Sequence, residues 1–342
     1  MKKFCLLFSL VVVILACQKG VEKQIETLFG FQKPANFPAP AYKLAQNPVT
    51  KDGFELGRAL FYEPMLSGDN TISCGTCHIQ SAAFTHHGHD LSHGIEDRLG
   101  KRNSQPIQNM AWNTTFMWDG GIFDLDLQPI APIENSVEMG HTLGGALQKL
   151  RGSSKYPGLF QRAYGSTEIT SARMLQALSQ FMVMMVSADS KYDKVKRGEG
   201  PSFTPAEQEG YTIFQAKCGT CHQEPLFTDQ SFRNNGLAVR PQDLGRWEVT
   251  AQEGDKYRFK VPSLRNVMLT PPYMHDGRIL NIDGVLDHYT SDVQNTPNLD
   301  PLFRNAGGLG IALSSNERTK IKAFLATLTD DAFIQDKRFA EQ

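Results

Sequence analysis

Residues 71–80 read TISCGTCHIQ and residues 216–225 read AKCGTCHQEP. The pentapeptide Cys-Gly-Thr-Cys-His occurs twice and accounts for four of the six cysteines in the 342-residue chain. The other two, Cys5 and Cys17, fall near the N-terminus. No cysteine remains for a structural disulfide, although an exported chain would permit one.

Two thiols separated by two residues, with a histidine directly after the second, form the pattern of c-type haem attachment. The thiols add to the vinyl groups of the macrocycle, and the adjacent imidazole is placed to become an axial iron ligand. A zinc site built from two such pairs would space them by about 15 to 20 residues. Here Cys77 and Cys218 are 141 residues apart. A thioredoxin-like redox pair would need a βαβ context, which neither pentapeptide has. The reading is two covalently bound haem c groups, one on Cys74 and Cys77 and one on Cys218 and Cys221. His78 and His222 are the proximal ligands.

The repetition extends beyond the pentapeptide. KRNSQPIQNMAWNTTFMWDGG follows the first copy at Lys101–Gly121, and LRNVMLTPPYMHDGR follows the second at Leu264–Arg278. Arg-Asn opens both stretches, FMWDGG and YMHDGR close them, and Phe-Thr follows each haem motif at Phe84 and Phe227. Cys74 and Cys218 set the period at 144 residues. The expected fold is mostly α, two cytochrome c-like haem domains related by internal duplication.

Local signals agree with helices. Thr204-Pro205-Ala206-Glu207 is a capping box with proline at the first helical position, opening a helix that leads to Cys218. Ser314 to Glu317 caps a last helix with Ile321, Phe324, Leu325 and Leu328 on one face. Ser171 to Val186 reads as another helix, whose Met182, Met184 and Met185 suit core packing better than ligation. No run of alternating strands stands out. Tyr192 to Ser202, YDKVKRGEGPS, is polar and reads as the link between domains.

The N-terminus opens MKKFCLLFSLVVVILACQKG. Lys2 and Lys3 precede an apolar run from Phe4 to Ala16, too short to span a bilayer and suited to export. The run ends at ILAC, which resembles the lipobox of bacterial lipoproteins and makes Cys17 the lipid site. An ordinary signal peptide cut nearby is the alternative. The expected division is a signal peptide over 1–16, a lipid-anchored tether over 17–40, an N-terminal haem domain over 41–195 and a C-terminal haem domain over 196–342. A formal charge of −1 gives no basic excess for a nucleic-acid partner.

From ELGRALFYEPMLS at Glu55 to the last helix, the chain resembles the bacterial dihaem cytochrome c peroxidase and MauG family. The motifs that carry the resemblance are the two CxxCH copies, RN, FMWDG, Gln128, SVEM around Glu138, and TPPYMHDG. In that family one haem is the peroxide site and the other relays electrons. The resemblance implies that Trp118 conducts between the haems and that Glu138 and Gln128 lie over the distal face of the first. It also implies that Asn103, with the carbonyls of Thr270 and Pro272, holds one calcium ion between the domains. His93 is close to the histidine that caps the first haem in resting peroxidases, although two extra residues separate it from Arg-Asn. His86, His87 and His89 share its loop.

One position departs from the peroxidase pattern. Fourteen residues after His275 of YMHDG, where peroxidases place a methionine ligand, stands Tyr289. MauG-type members have tyrosine there. A thioether favours ferrous iron, whereas a phenolate is hard and anionic and favours ferric or higher states. Met274 or Met268 as the ligand, with Tyr289 in the core, is the alternative.

The implied activity is reduction of hydrogen peroxide to water, with electrons from a small periplasmic donor such as a cytochrome c or a cupredoxin. MauG-like oxidation of a partner protein is the alternative within enzymes; a dihaem electron carrier without catalysis is the alternative outside them. Membrane contact would come only through the N-terminal lipid, and the assembly is open between a monomer and a homodimer.

Overall fold

The computed structural model describes residues 29–342. Lys2, Lys3, Cys5 and Cys17, and with them the expected signal peptide and lipid site, lie outside the described residues. Among the described residues no helix is long and apolar enough to cross a membrane.

Among the described residues twelve α-helices follow one another: α1 Lys51–Phe61, α2 Cys74–Cys77, α3 Ile130–Glu134, α4 Leu143–Gly152, α5 Tyr156–Tyr164, α6 Ser171–Met184, α7 Lys191–Arg197, α8 Pro205–Lys217, α9 Trp247–Thr250, α10 Ile282–Asp287, α11 Ser315–Ala326 and α12 Asp331–Gln335. Sheet among these residues is limited to two antiparallel pairs. In one, β1 (Phe232–Arg233) pairs with β2 (Phe259–Lys260) so that Phe232 faces Lys260; in the other, β3 (Arg304–Asn305) pairs with β4 (Gly308–Leu309).

The long helices begin where side chains satisfy the free N–H groups of the first turn. Thr50 caps α1 and Thr170 caps α6. Thr204 with Glu207, and Ser314 with Glu317, form complete capping boxes on α8 and α11. The helix expected over Ser171–Val186 stops at Met184, and Met185 instead accepts a backbone hydrogen bond from Asn109 at 2.8 Å. Met182 and Met185 are buried in the core, as their helix suggested.

Two helix pairs organise two cores. Helix α1 crosses α6 at Gly57, where a Cβ would collide with the Ala177 carbonyl. Helix α8 crosses α11 at Gly210, where a Cβ would collide with the Lys320 carbonyl. In each case the missing side chain lets two backbones meet. Phe54, Leu60 and Phe61 of α1 join Phe181 of α6 in the first core. Phe214 of α8 joins Ile321, Phe324 and Leu325 of α11 in the second. Each ring so buried contributes about 1.5–3 kcal/mol.

The loops repeat as well. Bridges close Phe116 onto Ile122 in one half and Tyr273 onto Ile279 in the other. Left-handed backbone recurs at Asn109 and Asn266 (φ 55° and 59°) and at Met117 and Met274 (φ 69° and 74°).

Three segments differ from the sequence expectation. Residues 29–40, the end of the expected tether, are packed: Phe31 and Phe37 meet Trp112 at 5.5 and 4.9 Å, and Trp112 Nε1 donates to Pro38 O at 2.9 Å. The expected link at Tyr192–Ser202 starts as helix α7, because the Tyr192 ring is 1% exposed and belongs to the second core. Ser314 does not open the last helix, since α12 follows and Phe333 and Phe339 enter the first core.

Candidate haem and peroxide site

Helix α2 is a single turn carrying Cys74 and Cys77, and His78 ends it. Thr76 and Ser73 close that turn with a reciprocal box, so the pentapeptide supplies part of its own cap. The chain then turns back through Ala83 and Phe84, both left-handed at φ 50° and 60°. That turn brings the Phe84 carbonyl to 2.8 Å from His78 Nδ1. A carbonyl only accepts, so Nδ1 carries the proton and Nε2 keeps the lone pair that a metal needs. Burial pushes the His78 imidazole down to about 4, which holds it neutral.

The second copy repeats the arrangement. His222 Nδ1 lies 3.1 Å from the Phe227 carbonyl, and Phe227 is left-handed at φ 55°. Burial lowers the His222 imidazole too. Cys74, Cys77, Cys218 and Cys221 form no disulfide with one another. Burial pushes Cys74 and Cys218 up to about 12 and Cys77 to about 11, so none is set up as a thiolate nucleophile or redox pair.

A cavity of about 490 Å³ opens beside the first copy. Cys74, Cys77 and His78 line it, together with His93, Gln128, Glu138 and Trp118. The sequence separates these residues by up to 64 positions, and the fold brings them onto one space. The size lies within the range of about 300–1,000 Å³ typical of small-molecule and cofactor sites.

Glu138 is raised above the usual carboxylate range by burial. Asn135 Nδ2 donates to its Oε1 at 2.9 Å and works the other way. Gln128 Nε2 lies 3.8 Å from Met117 Sδ. His93 is held by its own loop: Nδ1 is 2.6 Å from Asp97 Oδ1, and Nε2 is 3.1 Å from His89 Nδ1. Cys77 Sγ lies 3.6 Å from the His93 carbonyl. Trp118 spans the seam between the halves. Its Nε1 donates to Asn103 O at 2.9 Å, and its carbonyl accepts from Lys260 N at 2.7 Å.

Tyr289 is within electrostatic reach of Cys218 and Cys221, and its hydroxyl is raised by burial. The nearby Asn235 side chain works the other way on that hydroxyl, and its Nδ2 donates to Met274 Sδ at 3.4 Å. Met268 packs against the second core instead. Asn103 N donates to His275 O at 2.8 Å, which ties Asn103 to the loop carrying Thr270 and Pro272. Among the described residues no group of three or more His, Cys, Asp or Glu is arranged to hold a metal ion.

Two contributors escaped the sequence. Asn135 lies three residues before Glu138 and could have been noticed as a local partner. Asn235 carries no such signal, because it meets Tyr289 only through the fold. The carbonyls of Phe84 and Phe227 were signalled by the repeated Phe-Thr, although not in this role.

Comparison with known proteins follows the same residues. Residues 51–200 match the family model described as di-haem cytochrome c peroxidase. The methylamine utilization protein MauG of Methylorubrum extorquens is 34% identical over 312 residues, 87% of this chain and 83% of that one. The chain belongs to the di-haem cytochrome c peroxidase family. The cytochrome c551 peroxidase of Nitrosomonas europaea is also 34% identical, over 87% of this chain and 85% of its own. A solved structure of a MauG-like protein associated with microbial copper homeostasis superposes with a TM-score of 0.82 at 30% identity, covering 91% of this chain and 99% of that one.

Membership in this peroxidase family makes the chain an oxidoreductase with two haem c groups. The residues present fit those groups. Each copy offers two half-buried thiols and a neutral imidazole of fixed tautomer, and the first opens onto a cavity of suitable size.

Proposed function

We propose that this di-haem peroxidase reduces hydrogen peroxide to water in the cavity beside Cys74, Cys77 and His78. Electrons come from a small periplasmic donor, a cytochrome c or a cupredoxin, and enter through the half that carries Cys218, Cys221 and His222. The haem groups, when bound, supply the electrons and the metal site at which the O–O bond is broken. The observation that carries the reading is the convergence of His78, Gln128, Glu138 and Trp118 on one cavity.

Glu138 takes a proton from one peroxide oxygen and delivers it to the other, so that the departing oxygen leaves as water. Its burial raises its proton affinity toward the working range. The Asn135 amide fixes one carboxyl oxygen, leaving the other for the substrate. The Gln128 amide donates to the peroxide. Trp118 offers an oxidisable ring at the seam, a role supported by its bonds to Asn103 and Lys260. His93, on the same cavity wall, is the resting cap, oriented by Asp97 and His89. One calcium ion would be held by Asn103 with the Thr270 and Pro272 carbonyls.

We read the halves as duplicated cytochrome c-like domains, 41–195 and 196–342, each wrapped around one haem. The matching glycine crossings, caps and left-handed turns support this. Residues 1–16 are proposed as the export signal and Cys17 as the periplasmic lipid anchor. The direct test compares wild type with Glu138→Gln at equal haem content. Loss of peroxide reduction in the variant supports the reading, and retained turnover refutes the role of Glu138.

Tyr289 favours a second reading, MauG-like oxidation of a partner protein. Its hydroxyl lies near Cys218 and Cys221, where burial alone keeps it protonated and a ferric iron on the second haem would favour the phenolate. That reading requires a long-lived oxidised state that forms with peroxide and leaves the small donor unconsumed.

A further inference from the structure

The end of the chain crosses from one half to the other. Helix α11 belongs to the second core, and Asp330 anchors the crossing. Its carboxylate accepts from Ser187 Oγ at 3.1 Å and from Asp189 N at 2.9 Å, while its own N donates to Asn266 Oδ1 at 2.8 Å. Oδ1 then caps α12 at Phe333 N. Beyond this anchor, Phe333 and Phe339 are 3% and 1% exposed within the first core. Three hydrogen bonds fasten the segment there: Gln80 Nε2 to Asp336 O at 2.8 Å, Tyr62 OH to Phe339 O at 2.7 Å, and Arg58 Nη1 to Arg338 O at 2.9 Å.

The segment ends against the residue that fixes His78. The Phe333 and Phe339 rings lie 5.5 and 6.3 Å from the Phe84 ring. Phe84 gives its carbonyl to His78 Nδ1 from a left-handed backbone that non-glycine residues adopt only at a cost. Backbone bonds from Phe84 N to Ile79 O at 2.9 Å and from Ile107 N to Phe84 O at 3.2 Å hold it there together with the packing of its ring. In the second half the matching Phe227 is held by Tyr192 of α7 at 4.8 Å, Phe214 of α8 and Phe324 of α11, all from its own core. In the first half its aromatic neighbours are Phe61 of α1, at 6.3 Å, and the two rings of the chain's end.

We propose that Asp330–Phe339 is a positioning strap. By packing on Phe84 it fixes the orientation and basicity of the His78 imidazole, so the first site depends on a segment that leaves the second core and is anchored at the seam, on Ser187, Asp189 and Asn266. The inference rests on His78 as the proximal ligand of the first haem. Removing a partner that orients a ligating histidine typically costs about 10- to 100-fold in affinity or activity.

The test uses the two-haem holoprotein with Phe333→Ala, Phe333→Leu and the milder Phe339→Leu. Resonance Raman of the reduced protein reads the iron–histidine stretch of the first haem. The expected result in Phe333→Ala is a shift of that band to lower frequency and about a tenfold fall in kcat, with KM for peroxide changed less than twofold. The second haem's bands and the far-UV dichroism stay as in wild type, and Phe333→Leu restores the band. An unmoved band in Phe333→Ala, with only a lower Tm, overturns the strap. If Phe333→Ala does not accumulate, a smaller shift in Phe339→Leu supports the strap and an unmoved band overturns it. A band that survives in His78→Gly instead overturns the assignment of His78, whatever the strap does.

Discussion

His78 Nδ1 lies 2.8 Å from the carbonyl oxygen of Phe84, on a backbone turned left-handed at φ 60°. The pair converts a local strain into a fixed tautomer. His222 and Phe227 repeat it at 3.1 Å, so both halves present a neutral imidazole with its lone pair on Nε2.

Glu138→Gln removes the proton carrier while keeping shape and the bond from Asn135. A fall of about 10²–10⁴ in peroxide turnover is expected. The ionised carboxylate is the form that accepts the first proton. Activity should therefore fall as pH drops through a value above the ordinary glutamate 4.5, because burial raises the group. A kcat/KM profile against pH checks this: the acid limb should be present in wild type and absent in the variant.

Tyr289→Phe deletes the phenolic oxygen near Cys218 and Cys221. The expected outcome is loss of phenolate-type absorption from the second haem. Tyr289→Met should move its midpoint potential upward, since a thioether favours ferrous iron. Unchanged spectra in Tyr289→Phe, together with altered spectra in Met274→Leu, would pass the ligand role to Met274.

Asp193 and Arg265 form a fully buried pair at 2.8 Å, with Arg265 stacked 4.6 Å over Phe37. Burial alone would raise the Asp193 carboxyl, but the Arg265 hydrogen bonds outweigh it and hold the group below the usual range. Asp193→Ala leaves an unpaired guanidinium and should cost about 3–5 kcal/mol in chemical denaturation at pH 7. Because the folded value is depressed, the pair's stabilisation is present above the unfolded value near 3.8 and fades as pH falls through the lower folded one. The gap between wild type and variant should narrow in the same order.

Gly210→Ala forces a methyl group against the Lys320 carbonyl. Helices α8 and α11 must separate, at a cost of about 1–3 kcal/mol. Differential scanning calorimetry should show a lower Tm. A Tm equal to wild type would mean the crossing is looser than its geometry indicates.

What was legible in the sequence was local or repeated. The CGTCH copies name their own chemistry, and the Thr204 and Ser314 boxes start their helices through contacts three residues apart. Glu138, Gln128, Trp118 and His93 were readable by resemblance, and the fold brings all four to one cavity. Contacts between distant segments were not legible. Nothing around Pro34 and Pro38 shows that Phe37 will bury against Trp112, and polarity at Tyr192–Ser202 conceals the one ring that enters the second core. Phe333 and Phe339 read as part of the second half until packing places them beside Phe84, and Asn235 meets Tyr289 from 54 positions away.

The central claim is tested most directly by mixing the half-reduced holoprotein with hydrogen peroxide in a stopped-flow spectrometer, with a reduced small cytochrome c present. The account predicts immediate oxidation of the donor, two equivalents for each peroxide consumed, and its loss in Glu138→Gln. Haem bands and donor that stay unchanged on mixing would contradict it.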